Sequence, residues 1–220
     1  MLSEPAKIRV EFSKTGALKF ISHLDLNRTV QNAFLRSKLP IWYTQGFNPH
    51  PKTVFSPPLS VGVSSECEFM DFRMNEIVPA EEIVQRLNAS FPEGLRAIAA
   101  YEPQSSFSQI AWAEYEIGFE CKEDISAKIK ALLSGPLEVE KTGKAGTKTV
   151  DISPGTELLD CGYDDGIAHL RVLLSCGELT FVGPYLLTGC ISDRIEELDG
   201  AECFVHRKAV LLADKKTHFR

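Results

Sequence analysis

The alternation of apolar and polar residues along the first hundred positions predicts a defined set of strands and helices. Residues 7–13 alternate strictly, which is typical of a strand with one buried face. After Ser22, a good N-cap, the apolar side chains of residues 22–37 fall on one helical stripe. The predicted order is strand, helix, strand, strand, helix, strand, at residues 7–13, 22–37, 41–44, 66–74, 79–91 and 95–101, with a short extended piece at 54–55. This order indicates a ferredoxin-like βαββαβ unit.

A similar order of elements follows residues 102–110, a stretch rich in Pro, Ser and Gln that predicts a linker. The second set has an elaborated middle with a hairpin around Gly143 and Gly146, and its elements lie at 112–121, 125–133, 137–142, 148–152, 167–174, 184–190 and 202–212. We therefore predict an α+β fold of two tandem ferredoxin-like units, residues 1–101 and 111–220, joined by the linker 102–110.

The composition is typical of a soluble globular protein, since 44% of the 220 residues are hydrophobic and 25% are charged. No apolar run approaches the ~20 residues that span a bilayer, and the first residues lack the pattern of a signal peptide. The six cysteines include no C-x-x-C pair and no closely spaced triplet for an iron–sulfur cluster. We expect a cytoplasmic protein with reduced thiols, no membrane partner and no cofactor in this chain.

The net charge of −6 argues against general nucleic-acid binding, but the charge is unevenly distributed. Residues 1–60 contain eight Lys and Arg against three acidic residues, a local excess of +5. This asymmetry indicates a basic surface on an otherwise acidic protein. The alternative is a chance scatter of solvated charges.

The most distinctive stretch is residues 45–52, in which two prolines bracket a histidine. Pro49 and Pro51 fix their own backbone angles and push the preceding residues, Asn48 and His50, into extended conformations. The pattern predicts a stiff loop that presents an imidazole, an amide and an ammonium group. A second polar cluster, Ser22 to Asp25, precedes it by a helix length, and we expect the two to meet in a shared concavity.

The polar residues of these segments admit both structural and chemical roles. His23 lies near a helix N-terminus, where the dipole disfavours a charged imidazole, so it is either a neutral acid, base or ligand or a local hydrogen-bonding group. His50 favours a functional role because its flanking prolines carry no N–H. Asp25 either pairs with Arg28 at i, i+3 or orients an imidazole. A metal site from His23, Asp25 and His50 lacks diagnostic spacing, and we predict none.

Aromatic residues accompany the polar loop. Tyr43, Trp42 and Phe47 lie beside amide and basic groups, an arrangement that suits stacking on an unpaired base with phosphate contacts, or a small polar ligand. The alternative is that Trp42 and Phe47 are core residues of a strand and its turn.

Two segments carry a resemblance to a known family. They read FISHLDL at residues 20–26, followed by Arg28, and YTQGFNPHPK at residues 43–52. Together with Pro57–Leu59 and neighbouring positions, they resemble a radical-SAM-linked domain family of unknown function. The resemblance implies a partnership with a separate radical SAM enzyme and leaves the biochemical activity open.

Our preferred hypothesis is an accessory recognition module, not itself an enzyme, that binds RNA or another polyanionic ligand for a radical SAM enzyme. The predicted ligand-binding residues are those of the two polar segments: Ser22, His23, Asp25, Arg28, Tyr43, Gln45, Phe47, Asn48, His50 and Lys52.

Two alternatives belong to other functional classes. In a metal-independent endoribonuclease, His23 and His50 would act as general acid and base, and Lys52 would stabilise the charge that develops on phosphorus. In a protein–protein adaptor, the loop and the helix face would form a patch with aromatic anchors.

Overall fold

The structure is a computed structural model that describes residues 4–143, 146–177 and 181–220. These residues form a mixed α and β fold with antiparallel strand pairing and four α-helices. The chain divides into two compact units, one running to Ser108 together with Arg220 and the other spanning Gln109–Phe219. Among the described residues, no helix combines the length and the apolar character needed to cross a membrane.

The first unit contains four strands and two α-helices. They are β1 (Ala6–Lys14), α1 (His23–Ser37), β2 (Val54–Phe55), β3 (Ser64–Met74), α2 (Ala80–Asn88) and β4 (Leu95–Tyr101). The strands lie in the order β4-β1-β3-β2, and each neighbouring pair is antiparallel. The predictions for β1, α1, β3, α2 and β4 are confirmed, although α2 is shorter than predicted.

The strand predicted at residues 41–44 is wrong. Ile41 and Tyr43 form only isolated bridges, to Met74 and Pro51 respectively. The chain folds back on itself here, because the backbone N–H of Thr44 donates to the carbonyl of His50 at 2.9 Å. The second strand in the order is instead the two-residue β2, which pairs with β3.

The two faces of this sheet differ in character. The apolar residues of β1, β3 and β4 pack with those of α1 and α2 in one buried cluster that includes Val10, Phe12, Phe34, Met70 and Leu87. Because successive strand residues point to opposite faces, the charged residues between them lie on the other face. That face places Lys7 directly opposite Arg73 and Arg9 directly opposite Asp71 across the β1–β3 pair.

Arg9 lies on the charged face and makes several polar contacts, although it is only 1% exposed. Its Nε and Nη2 donate to the two Asp71 carboxylate oxygens at 2.7 and 2.8 Å. The same guanidinium donates to the carbonyl of Ser105 at 2.9 Å and to that of Arg220 at 3.1 Å. Its carbon also lies 4.3 Å from the centre of the Phe107 ring. Arg9 therefore holds the 105–107 segment, predicted as linker, against β1.

Tyr101 lies opposite Arg9 on β4. Its hydroxyl is buried and has no hydrogen-bond partner among the described residues. Burial raises the pKa of Tyr101 to about 12, and the nearby Glu11 carboxylate adds to this effect. The neutral form is therefore favoured in the folded protein.

The second unit contains β5 (Trp112–Glu120), α3 (Ser126–Leu133), β6 (Glu138–Gly143), β7 (Gly146–Asp151), β8 (Thr156–Asp164), β9 (Ile167–Ser175), α4 (Pro184–Ser192) and β10 (Cys203–Leu211). Four of its strands lie in the antiparallel order β10-β5-β9-β8, and β6 pairs with β7 as the predicted hairpin. Residues 144 and 145 of the predicted hairpin turn lie outside the described residues.

The sequence prediction omitted β8. Its two adjacent leucines, Leu158 and Leu159, break the alternation that identifies a strand. The structure has a register shift between Leu158 and Asp160, and Leu159 is 39% exposed. The bulge therefore explains why two apolar residues follow one another in this strand.

Replacing Arg9 should destabilise the protein strongly, because Asp71 would keep a partly buried and unpaired charge. We expect Arg9→Met to lower the free energy of unfolding by about 3 kcal/mol, measured by urea denaturation. The matched control is Arg96→Met at an exposed position of β4, where we expect a change below ~0.5 kcal/mol. If the free energy of unfolding falls equally in the two variants, the Arg9–Asp71 pair contributes no more to stability than an exposed arginine does.

Tyr101→Phe tests the unpartnered hydroxyl. At neutral pH the variant should unfold no more easily than the wild type, because no hydrogen bond is lost. Above pH 10 the unfolded state releases the Tyr101 proton before the folded state does, so the wild type should lose stability relative to the variant. Tyr163→Phe is the control, since the Tyr163 hydroxyl donates to the Cys121 carbonyl at 3.3 Å and its removal should destabilise. A parallel pH dependence of wild type and Tyr101→Phe would contradict the assignment.

Candidate functional site

A groove of about 520 Å³ opens on the charged face of the first unit. Its volume lies within the range of ~300–1,000 Å³ that is typical of small-ligand sites. The lining comes from β1, the β2 region, β3 and the segment that follows β4, and it includes Lys7, Lys52, Val54, Asp71, Arg73 and residues 103–107.

The groove carries positive charge without a matching anion. Lys7 and Arg73 face each other directly across β1 and β3, and like charges in this position destabilise a sheet. In the part of the chain that the structure describes, no ion pair involves Lys7, Lys52 or Arg73. The carboxylate in the lining is Asp71, and its two oxygens accept from Arg9. The groove is therefore a cationic surface that lacks a counterion.

The β2 region divides the predicted site between two faces of the sheet. Lys52 and Val54 line the groove. Phe55, the next residue along, packs against the apolar core and meets the His23 ring edge-on, with 5.2 Å between the ring centres. Lys52 and His23 therefore lie on opposite sides of β2.

The predicted residues of the first cluster form the cap of α1. Ser22 Oγ accepts from the backbone N–H of Asp25 at 3.1 Å and donates to its carboxylate at 2.7 Å. Arg28 Nη1 lies 3.3 Å from the other carboxylate oxygen, and both side chains are more than half exposed. An exposed pair of this kind contributes well under ~1 kcal/mol. His23, the first residue of α1, is also exposed.

The predicted loop is closed by its own hydrogen bonds. The backbone N–H of His50 donates to Thr44 Oγ1 at 3.1 Å, and the imidazole Nδ1 donates to the carbonyl of Asn48 at 2.8 Å. Gly46 takes a φ of +138°, a conformation that side chains disfavour. The side chains of Gln45, Asn48 and His50 are exposed on this closed loop.

The aromatic residues near the loop have three different environments. Tyr43 packs against the core of the first unit. Trp42 donates its backbone N–H to the Arg73 carbonyl at 2.8 Å, and the Arg73 guanidinium lies 5.6 Å from its ring centre. Phe47 is fully exposed at the tip of the loop.

The predicted site residues contact one another within each of the two polar segments, residues 22–28 and residues 43–52. Ser22, Asp25 and Arg28 contact one another, and His50 contacts Asn48. Within the described ranges, no hydrogen bond links residues 22–28 to residues 43–52. The same ranges contain no group of three or more His, Cys, Asp or Glu side chains arranged to hold a metal ion.

Several groove residues escaped the sequence prediction. Lys7, Arg73 and Asp71 alternate with apolar neighbours, which is the signal that places them on the face opposite the core. Gln104 lines the groove from the predicted linker. Its position depends on the contacts of Arg9 with Ser105, which no local pattern indicates.

Comparison with known proteins places these segments in one conserved family. The model of a family described as an uncharacterized protein conserved in bacteria (DUF2344) matches residues 7–184. The chain belongs to this family. The match contains the groove residues and both motif segments, and it agrees with the predicted resemblance to a family of unknown function.

Two further comparisons add little. The search of curated proteins found no match. A crystal structure of an unknown protein from Galdieria sulphuraria is similar at 13% identity, with 93% of this chain and 99% of that chain covered and a TM-score of 0.26.

Removing the N-cap of α1 should lower the free energy of unfolding by an amount that is typical of a helix cap. We expect Ser22→Ala to lower the free energy of unfolding by about 1 kcal/mol, because the N–H of Asp25 loses its acceptor. Ser22→Thr keeps the hydroxyl and should restore most of the loss in the same denaturation measurement. If Ser22→Ala and Ser22→Thr are equally destabilising, the hydroxyl does not act as the cap.

Proposed function

We propose that this protein is an accessory substrate-recognition module that binds RNA or another polyanionic ligand in the groove. The observation that carries the proposal is the directly opposed pair Lys7 and Arg73, with Lys52 beside the same groove and no counterion among the described residues. A bound phosphate would relieve their repulsion, because each cation gains an opposite charge within a few ångströms.

The charged residues that line the groove support an anionic ligand. Asp71 is the acidic residue nearest to these cations in the lining, and Arg9 already neutralises it. The groove therefore offers three cationic side chains to a ligand and little competing negative charge. Binding of this kind releases counterions from a nucleic acid and becomes weaker as salt is added.

The predicted loop would extend the binding surface. Gln45, Asn48 and His50 are exposed polar groups of this loop, and the exposed ring of Phe47 suits stacking on an unpaired base. The stiff closure of the loop supports this role, because a preorganised segment loses little entropy on binding.

We further propose that each unit is ferredoxin-like, with domains at 1–101 and 111–220. The first unit has its strands in the order 4-1-3-2, as β4-β1-β3-β2, and in the second unit β10-β5-β9-β8 follows the same order when the β6–β7 hairpin is set aside. Within each unit the neighbouring strands of this order pair antiparallel, which supports this proposal.

The proposed partner is a separate radical SAM enzyme, and this part of the proposal rests on the motif resemblance. The chain would present its ligand to that enzyme and would carry no cofactor itself. We propose a cytoplasmic location, which suits six cysteines that are all free thiols. Two alternative functions stay predictions. One is a ribonuclease that uses His23, His50 and Lys52, and the other is a protein–protein adaptor.

Neutralising the groove should weaken RNA binding. We expect Lys7→Gln with Lys52→Gln to raise the Kd for a fluorescent oligo(U) strand at least tenfold. The slope of log Kd against log salt should fall by about 1 to 2, since each phosphate contact on a single strand contributes about 0.7. Fluorescence anisotropy across a salt series measures both quantities.

The control is Lys122→Gln with Lys130→Gln, which removes the same charge from exposed positions of the second unit. It should leave the Kd within about twofold of the wild type. Equal effects of the two double variants, or binding that does not change with salt, would refute phosphate recognition in the groove.

A further inference from the structure

The groove is chemically divided. Lys7, Lys52 and Arg73 supply cations, whereas Val54, Pro103 and Phe107 supply apolar surface. A surface built only to attract a polyanion needs the cations alone. The apolar part therefore indicates a ligand that carries a flat or apolar group together with its anion.

A neutral polar group completes the lining. Gln104 is exposed, lines the groove, and makes no hydrogen bond within the described ranges. Its amide offers both a donor and an acceptor. Nucleobases present both kinds of group on their edges, and proteins read unpaired bases through such contacts.

The wall that carries Gln104 is held in place before any ligand binds. Arg9 donates to Ser105 on one side of this segment and lies over the Phe107 ring on the other. Because Arg9 is itself fixed by Asp71, the wall cannot move far from the cations of β1 and β3. A preorganised wall of this kind reduces the entropy lost on binding.

We propose that the groove takes a single unpaired nucleotide, and this inference rests on the proposed function. The phosphate lies on Lys7, Arg73 and Lys52, the base packs against Val54 and Pro103, and the Gln104 amide reads the base edge. A volume of about 520 Å³ suits one nucleotide, whereas a base inside a duplex is stacked and paired and cannot reach the wall.

The nucleotide has two sources, a free nucleoside monophosphate or an unpaired position in an RNA strand. Isothermal titration compares a pair of probes for each source. The first pair is uridine 5′-monophosphate and ribose 5-phosphate, and the second is a six-residue oligo(U) and an abasic strand of the same length. A blunt-ended RNA duplex, in which every base is paired, is the fifth probe.

We expect the base to improve affinity at least tenfold in one of the two pairs, and that pair identifies the source. Gln104→Ala should weaken binding of the same base-containing probe about 3- to 10-fold, as expected for one hydrogen bond to a neutral group. The base-free probe should bind Gln104→Ala and wild type equally. Gln85→Ala, at an exposed position of α2, is the matched control and should leave the affinity for both probes unchanged.

The remaining outcomes separate this inference from the function on which it rests. If base-containing and base-free probes bind equally, or the duplex binds as well as oligo(U), the nucleotide site is refuted while polyanion binding stands. If Gln104→Ala has no effect on any probe, the proposed base contact is refuted. If no probe binds, or the Lys7→Gln and Lys52→Gln double variant binds all of them normally, the proposed function itself fails.

Discussion

The bond between Arg9 and Asp71 is the interaction on which the first unit depends. A buried guanidinium is tolerated only when its charge and its donors are matched, and the planar fork of arginine suits a carboxylate on the neighbouring strand. The remaining donors of Arg9 then hold the segment that follows β4. One buried cation therefore sets both the strand contact and the groove wall, and it pairs with Asp71, the carboxylate that lines the groove with Lys7 and Arg73.

Local patterns were sufficient for elements whose hydrophobic periodicity is unbroken. The strict alternation of β1 and the capped apolar stripe of α1 were predicted with nearly the observed bounds, because a single buried face dominates each of them. The two-residue β2 is too short to carry a period, and β8 contains a bulge that spoils it. In both cases the strand is specified by its neighbour across the sheet and not by its own sequence.

The candidate site shows more clearly that local sequence patterns do not reveal contacts across the sheet. The motif residues were found because prolines, glycine and a histidine form an unusual local string, and Lys52 does line the groove. The partners of Lys52 come from β1 and β3, which are more than fifty residues apart in the chain but adjacent in the sheet. Their meeting depends on strand register, which the sequence does not display. Val54 and Phe55 point in opposite directions, so that Lys52 lines the groove with Val54 while His23 meets Phe55 on the other side of β2.

The two-residue strand β2 also limits where members of the family can differ in chain length. The side chains of Lys52 and Val54 lie on the groove face of this segment, and the side chain of Phe55 lies on the core face. Inserting one residue between Val54 and Phe55 would put their side chains on the same face, so that either the Lys52 ammonium group would be driven toward the core or the Phe55 ring into solvent. Natural variants should therefore differ here by substitution, while the exposed turn at Gly46 and Phe47 tolerates added residues.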